Sequence, residues 1–319
     1  MLRKVLISLL VIILIFAGVV WGGVYYYLSK MPREEVTEIV VTGEDQAILD
    51  ENSIPTSTNS LGSDLDVLER LARENDNYKN VTNILLLGID SEDGVGRSDA
   101  MMIFTVDKNN AKIKLTSIIR DSYVYIAGYG MDKINHAYAF GGSSLALRAV
   151  NTNFDMNIQD FVTVNFGDII EIVDTIGGLD VELTSEEARI IGVDGKGTHL
   201  LDGAQTLRYA RIRSTAGGDF KRTSRQREVI TLILDKLMAL SPVEMISAAD
   251  TLLPMVKTSL DSNTIIGLGS SAALGNYDIA QNSFPEDDTS EGVMIKGIYY
   301  LQWDREYTID KLHTFIYKE

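Results

Sequence analysis

Two groups of residues in this chain have the types and spacing to do chemistry. The first is Gly88-Ile89-Asp90, followed by Gly94-Val95-Gly96-Arg97-Ser98-Asp99. Asp90 closes a short apolar run and Asp99 opens the next, so a sheet would bring both carboxylates to the ends of neighbouring strands. Strand ends are where sites form in open α/β architectures. Converging carboxylates can hold Mg²⁺, which takes one or two of them and completes its shell with water and substrate phosphates. As ordinary turn residues, the same aspartates would only hydrogen-bond their own loop. The second group is Tyr209-Ala210-Arg211-Ile212-Arg213 with Gly217-Gly218-Asp219-Phe220-Lys221-Arg222-Thr223-Ser224-Arg225-Gln226 after it. In extended chain Arg211 and Arg213 share a face, and on a helix Arg222 and Gln226, four apart, share another. Guanidinium forks match phosphate oxygens bidentately, and glycines opening onto a helix N-terminus add a dipole that favours anions. A salt-bridged helix face is the alternative for this group.

Two weaker signals lie between them. Arg120-Asp121 follows the strand expected at 115–119; at a strand end, neighbours point to opposite faces, which would keep these two charges from pairing. A surface arginine is the ordinary explanation. In Lys133-Ile134-Asn135-His136-Ala137-Tyr138-Ala139-Phe140-Gly141-Gly142 the glycines could offer N–H groups to an anion, while a lone histidine is more often structural than catalytic.

The overall charge sharpens the contrast. The 319 residues carry 29 Lys+Arg against 45 Asp+Glu, a net −16. Such a chain lacks the basic face that nucleic-acid binding needs. With no cysteine, disulfides, thiolate catalysis and cysteine-bound metals are excluded. In so acidic a chain, five cations (Arg211, Arg213, Lys221, Arg222, Arg225) within about fifteen residues are hard to assign to solubility. Carboxylate-held dication facing several arginines suits a pyrophosphate, whose bridging oxygens the metal neutralises and whose departing phosphate the arginines stabilise. Long apolar helical stretches could line a groove for a lipid tail or be plain core.

The elements that would position these groups can be read from periodicity. Asn83-Ile84-Leu85-Leu86-Leu87-Gly88-Ile89 is the run expected of a strand buried on both faces. Residues 101–106 and 112–118 flank Lys108-Asn109-Asn110-Ala111 and predict a hairpin. Helical patterns fall at 144–153, 168–176, 203–209, 222–240, 263–274 and 309–317, with strand candidates at 161–164 and 293–300. The expected fold class is α/β: a central mixed β-sheet covered by helices on its faces, forming a single extracytoplasmic domain after an N-terminal transmembrane helix. That helix is expected at 5–28, an uncharged run of about 24 residues, about 36 Å as a helix, with Trp21 and Tyr25-Tyr26-Tyr27 at its far end. Arg3 and Lys4 would stay cytoplasmic, leaving 1–4 as a stub and the rest outside. A cleaved signal peptide is the alternative, against which stands the length of the apolar run. Residues 29–80 read as an acidic extracellular linker with a short helix near Leu65–Ala72, and 81–319 as the catalytic domain.

Six motifs in order, LLLGID, GRSDAMM, SIIRD, KINHAYAFGG, LDGAQTLRYARIR and GDFKRTSRQ, resemble the LytR-CpsA-Psr family of Gram-positive bacteria over about Thr82 to Gln226. The resemblance implies transfer of an anionic glycopolymer, a teichoic acid or capsule-like polysaccharide, from a polyprenyl-pyrophosphate carrier to peptidoglycan, making a phosphodiester and releasing polyprenyl phosphate. It implies Asp90 and Asp99 as ligands of Mg²⁺ (or Mn²⁺), and Arg97, Arg120, Lys133, Arg211, Arg213, Arg222 and Gln226 around the pyrophosphate. Asp219 matches the acidic position that orients those arginines, and Asp121, Asp219 or a metal-bound carboxylate is a candidate base. Three positions depart from the family pattern: Ile119 for proline, Ala100 for threonine or serine, and Lys221 for glycine. A hydrolase of the lipid pyrophosphate and a non-catalytic envelope sensor that regulates partners are the rival functions.

Overall fold

The computed structural model describes residues 23, 25–39, 41–54, 78–90, 96–213, 218–274 and 277–318. In chain order come helix α1 (Gly43–Glu51), strands β1 (Val81–Ile89), β2 (Ser98–Asp107), β3 (Lys112–Ile118), β4 (Tyr123–Ile126) and β5 (Gly130–Lys133), and helix α2 (His136–Phe154). Strand β6 (Asp160–Asn165) runs into helix α3 (Phe166–Thr175), followed by β7 (Leu179–Leu183), α4 (Ser185–Ile191) and β8 (Gly197–Leu201). Helices α5 (Gly203–Ala210), α6 (Gly218–Ala239) and α7 (Pro242–Leu252) precede β9 (Val256–Thr258) and α8 (Ser262–Leu274). Strands β10 (Asp278–Phe284), β11 (Ser290–Ile295) and β12 (Ile298–Trp303) and helix α9 (Arg305–Tyr317) complete the chain.

Six strands form one mixed sheet in the order β10-β3-β2-β1-β6-β9. Strand β1 pairs antiparallel with β2 and parallel with β6, and β3 pairs antiparallel with β2 and parallel with β10. The carboxyl ends of β1, β3 and β6 and the start of β2 therefore meet at one edge. Alternation along β1 feeds both layers. Leu85, Leu87 and Ile89 point with Met101 and Ile103 into a core capped by Leu145, Val150 and Phe154 of α2 and by Leu312 and Ile316 of α9. On the opposite face, Leu86, Ala100 and Met102 meet Phe166 of α3, Leu207 of α5 and Ile230 of α6. A third cluster joins β7, β8, α4, α5 and α6 through Val181, Leu201, Ala188, Tyr209 and Val229. The central mixed sheet with helices on its faces is thus the architecture expected.

Several local expectations change. The strand expected at 293–300 is a two-stranded hairpin, β11–β12, and 136–154 is one helix interrupted at Gly141 and Gly142 rather than a helix beginning at 144. The hairpins β4–β5 and β7–β8 lie outside the main sheet and were not among the expected strands, although β7 (Leu179-Asp180-Val181-Glu182-Leu183) alternates strictly between buried and exposed residues. Much of the stretch expected as linker is packed. Leu49 and Ile54 belong to the main core with 2% and 6% exposure, and the Asp45 carboxylate accepts from the Gly128 N–H at 2.8 Å, fastening α1 to the β4–β5 turn. The short helix expected near 65–72 lies outside the described residues, as does all but the end of the apolar run 5–28. Among the described residues no helix is long and apolar enough to cross a membrane.

Candidate active site at the carboxyl edge of the sheet

The converging strand ends carry the charged groups. Asp90 follows β1, Asp99 is the second residue of β2, and Arg120 sits in the turn after β3. Helix α5, begun by a capping box between Asp202 and Gln205, ends at Arg211, whose αR conformation (φ −94°, ψ −2°) turns the chain into Arg213. Arg222 and Gln226 lie one turn apart near the start of α6. Together Asp90, Asp99, Phe166, Arg211, Arg213, Arg222 and Gln226 line one cavity of about 250 Å³. Phe166 reaches it because β1 has a glycine at 88: a Cβ there would stand 2.6 Å from the phenyl ring. The Arg211 guanidinium lies over that ring, 5.6 Å from its centre.

The charges are interlocked. Asp99 accepts from Arg120 at 2.9 Å and from the Asn135 amide at 3.3 Å, and pairs with Arg213 at 3.6 Å. Asp90 pairs with Arg211. Asp219 stands between two guanidiniums, 2.7 Å from Arg222 and 3.3 Å from Arg120. Asp121 lies 3.4 Å from Arg120 and 2.7 Å from Lys133. The Arg120–Asp121 contact overturns the expectation that these neighbours face apart: they lie in a turn beyond the end of β3, where strand alternation no longer applies.

Burial sets the electrostatics. It pushes the Asp99 carboxyl up, but Arg120, Arg222 and Asn135 outweigh it and hold the group below the usual carboxylate value. Arg120 is driven down by burial and further up by Asp219, Asp99 and Asp121. For Arg222 the balance reverses: burial, with repulsion from Arg120 and Arg213, lowers it despite Asp219. Arg222 is 2% exposed, and its Nε and Nη1 have no hydrogen-bond partner. A buried guanidinium with unmet donors is costly; an anion in the cavity it lines would offset that cost.

Among the described residues no group of three or more His, Asp or Glu is arranged to hold a metal ion. The two carboxylates that share the cavity, Asp90 and Asp99, nevertheless fit a hard dication that draws its remaining ligands from substrate phosphates. A second cavity, of about 240 Å³, runs beneath α6 and is lined by apolar side chains including Leu86, Met102, Ile169, Val229 and Ile233. It shares Phe166 and Gln226 with the charged one.

Not every expected residue reaches the cavity. Arg97 is exposed and contributes its backbone carbonyl, which accepts from the Asp90 N–H at 3.4 Å. Among the described residues, Lys133 is engaged by Asp121 and joins the cluster through that carboxylate. Conversely, Arg225 is 1% exposed and turned away from the cavity, donating to Glu187 at 2.8 Å and to the Ile212 carbonyl at 3.1 Å. Ile212 lies between Arg211 and Arg213, so Arg225 anchors the segment that carries both. In the sequence it is one of five clustered cations, a signal that pointed to an anion rather than to this anchoring role. Phe166 and Asn135 carried none.

A family model, LytR_cpsA_psr, matches residues 44–314. A polyisoprenyl-teichoic acid–peptidoglycan teichoic acid transferase, TagU of Oceanobacillus iheyensis, is 34% identical over 82% of this chain and 82% of its own length. A structure of TagT bound to LIIa-WTA superposes with a TM-score of 0.63 at 30% identity, covering 75% of this chain and 90% of that one. Another TagT structure, with bound octaprenyl pyrophosphate lipid, gives 0.59 at 28% identity over 75% of this chain and 91% of that one. With a family model matching 44–314 and a relative 34% identical over 82% of both chains, this chain belongs to the LytR-CpsA-Psr family.

Proposed function

We propose that the protein is a glycopolymer phosphotransferase, moving an anionic glycopolymer from polyprenyl pyrophosphate to peptidoglycan through a phosphodiester bond. One observation carries this: the buried Arg222, with unmet donors, lines a charged cavity that shares Phe166 and Gln226 with an apolar one. That pairing is complementary to a diphosphate bearing a long hydrocarbon tail. The relatives' names, as teichoic acid transferases and as a protein holding octaprenyl pyrophosphate, agree with it.

In this mechanism the tail lies in the apolar cavity, where each buried CH₂ contributes about 0.8 kcal/mol. Arg211, Arg213 and Arg222 clamp the diphosphate, with Gln226 at the junction between tail and charge. The acceptor hydroxyl oxygen bonds to the sugar-linked phosphorus as the bond from that phosphorus to polyprenyl phosphate breaks. Asp121 and Asp219, which flank Arg120, and a metal-bound carboxylate are the candidates for taking the hydroxyl proton; a loose transition state asks little of a base. Arginine charge stabilises the departing phosphate. Asp90 and Asp99 would hold Mg²⁺ or Mn²⁺, which when bound supplies charge neutralisation on the diphosphate oxygens. The site works outside the cell, on a domain anchored by the apolar run 5–28, a topology supported by the flanking Arg3 and Lys4 and by the length of that run.

The test is incubation of the purified protein with lipid-linked polymer, peptidoglycan oligomers and Mg²⁺, followed by mass analysis. A peptidoglycan-linked phosphodiester that disappears with chelator is expected. Free polymer phosphate alone would assign a hydrolase instead, and no conversion would leave a binding protein.

A further inference from the structure

A strip of aromatic rings leads away from the charged cluster on the side opposite the apolar cavity. It begins at Lys133, which holds Asp121 and whose ammonium lies 5.8 Å from the ring centres of both Tyr299 and Tyr300. The Tyr300 hydroxyl donates to Asp132 at 3.3 Å, and Asp132 holds His136 Nδ1 at 2.9 Å. The His136 ring meets the edge of Phe140, their centres 5.8 Å apart. Phe140 in turn stacks on Tyr129 at 4.3 Å with the planes 11° apart. Three of these rings are exposed, Tyr129 by 54%, Tyr299 by 46% and Phe140 by 38%, while Tyr300 is buried at 8%. Phe140 is presented by a local device. Gly142, with φ +65°, takes a backbone conformation that a side chain would strain, and so breaks α2 directly after the turn that bears His136 and Phe140. The Tyr129 hydroxyl donates to the Phe140 carbonyl at 3.3 Å, tying the two elements together.

From this geometry we propose that the strip through Tyr299, His136, Phe140 and Tyr129 is the acceptor subsite, taking the sugar rings of a hexosamine glycan strand. It rests on the transferase reading above and adds where the acceptor lies. Sugar rings present polarised C–H groups on their faces and hydroxyl and amide groups at their edges. The electron-rich faces of aromatic rings attract the former, while Asp132, His136 and Lys133, set among the rings, can bond the latter. An aliphatic patch suited to lipid would lack these polar groups. The placement also suits the reaction. The apolar cavity belongs to the sheet face covered by α3, α5 and α6, whereas β4, β5 and α2 lie on the other face. A glycan on the strip reaches the diphosphate past Lys133 and Asp121 without crossing the tail.

The test uses the full chain and oligomers of alternating N-acetylglucosamine and N-acetylmuramic acid. The double variant Tyr129→Ala with Phe140→Ala is expected to raise the acceptor KM at least tenfold while the KM for the lipid-linked donor moves less than twofold. Phe140→Trp, which keeps a ring, is expected to retain the wild-type acceptor KM, and thermal melting checks that each variant is folded. Titration of the same oligomers without donor reads the strip separately: a tenfold weaker affinity in the double variant is expected. If the wild-type chain only hydrolyses donor, the transferase reading falls and this titration alone decides the strip. An unchanged oligomer affinity in the double variant would overturn the subsite. So would a loss confined to binding of phosphatidylglycerol vesicles, which would make the strip a membrane contact.

Discussion

Arg120 stands among three carboxylates of the site: its guanidinium lies 2.9 Å from Asp99, 3.3 Å from Asp219 and 3.4 Å from Asp121. Its Nη1 donates to Asp99 while its Nε stands between Asp219 and Asp121, a fixed planar spread of charge that a compact ammonium on a flexible stem does not reproduce. Arg120 therefore sets where the other charges stand as well as adding its own. Arg120→Lys should keep the fold and the net charge yet lower kcat for transfer about 10²–10³-fold, the scale of losing one preorganised electrostatic contact. Steady-state kinetics beside a melting curve would show this. A fall of less than threefold would mean that charge alone, rather than the fork, matters at this position.

At the scale of elements, the segment between α5 and α6 is held from behind. Thr184 and Glu187 form the capping box of α4, and the same Glu187 carboxylate pairs with Arg225 of α6, which donates to the Ile212 carbonyl. Three elements are thus bolted together under Arg211 and Arg213. Both partners of the pair are buried, and removing one leaves the other charge uncompensated at a cost of about 3–5 kcal/mol. Glu187→Ala should lose that much stability in denaturant unfolding. The double variant Glu187→Met with Arg225→Met should recover most of it, because an apolar pair of similar size removes both charges. Donor KM should nevertheless stay roughly tenfold high in the double variant, a loss of about 1.4 kcal/mol, since the Ile212 carbonyl still lacks its donor. Full recovery of KM would reduce the pair to a purely structural role.

Across the whole molecule, two unlike spaces adjoin at Phe166 and Gln226: a largely apolar one beneath α6 and a charged one at the strand ends. Ile230 lines the first and stands clear of the second. Ile230→Trp should fill part of the 240 Å³ cavity at a stability cost of about 1–3 kcal/mol. It should raise KM at least tenfold for a donor with a long prenyl tail and leave a donor with a one- or two-unit tail unaffected. Equal effects on both donors, measured side by side, would show that the tail lies elsewhere.

How much of this was legible beforehand depended on the range of the interaction. The hairpin β2–β3, the doubly buried β1 and the amphipathic helices α3, α5, α6 and α9 followed from local periodicity, because burial of one face imposes it on the chain. Asp90, Asp99, Arg211, Arg213, Arg222 and Gln226 were equally readable as candidates, since carboxylates at strand ends suit a dication and clustered guanidiniums suit an anion. Other features required coordinates. Arg222 and Arg225 look alike in sequence, and only the packing of α6 against α4 and α5 sends one into the cavity and makes the other a strut. The apolar cavity has the same leucines, isoleucines and valines as a filled core; it is a deficit of atoms, which no periodicity records. The Arg120–Asp121 contact and the strip from Lys133 to Tyr129 depend on turns and on β12, which is distant in sequence. Residue chemistry and local period are encoded within a few positions of the chain, whereas which faces meet is decided by the single arrangement that buries all the apolar surfaces together.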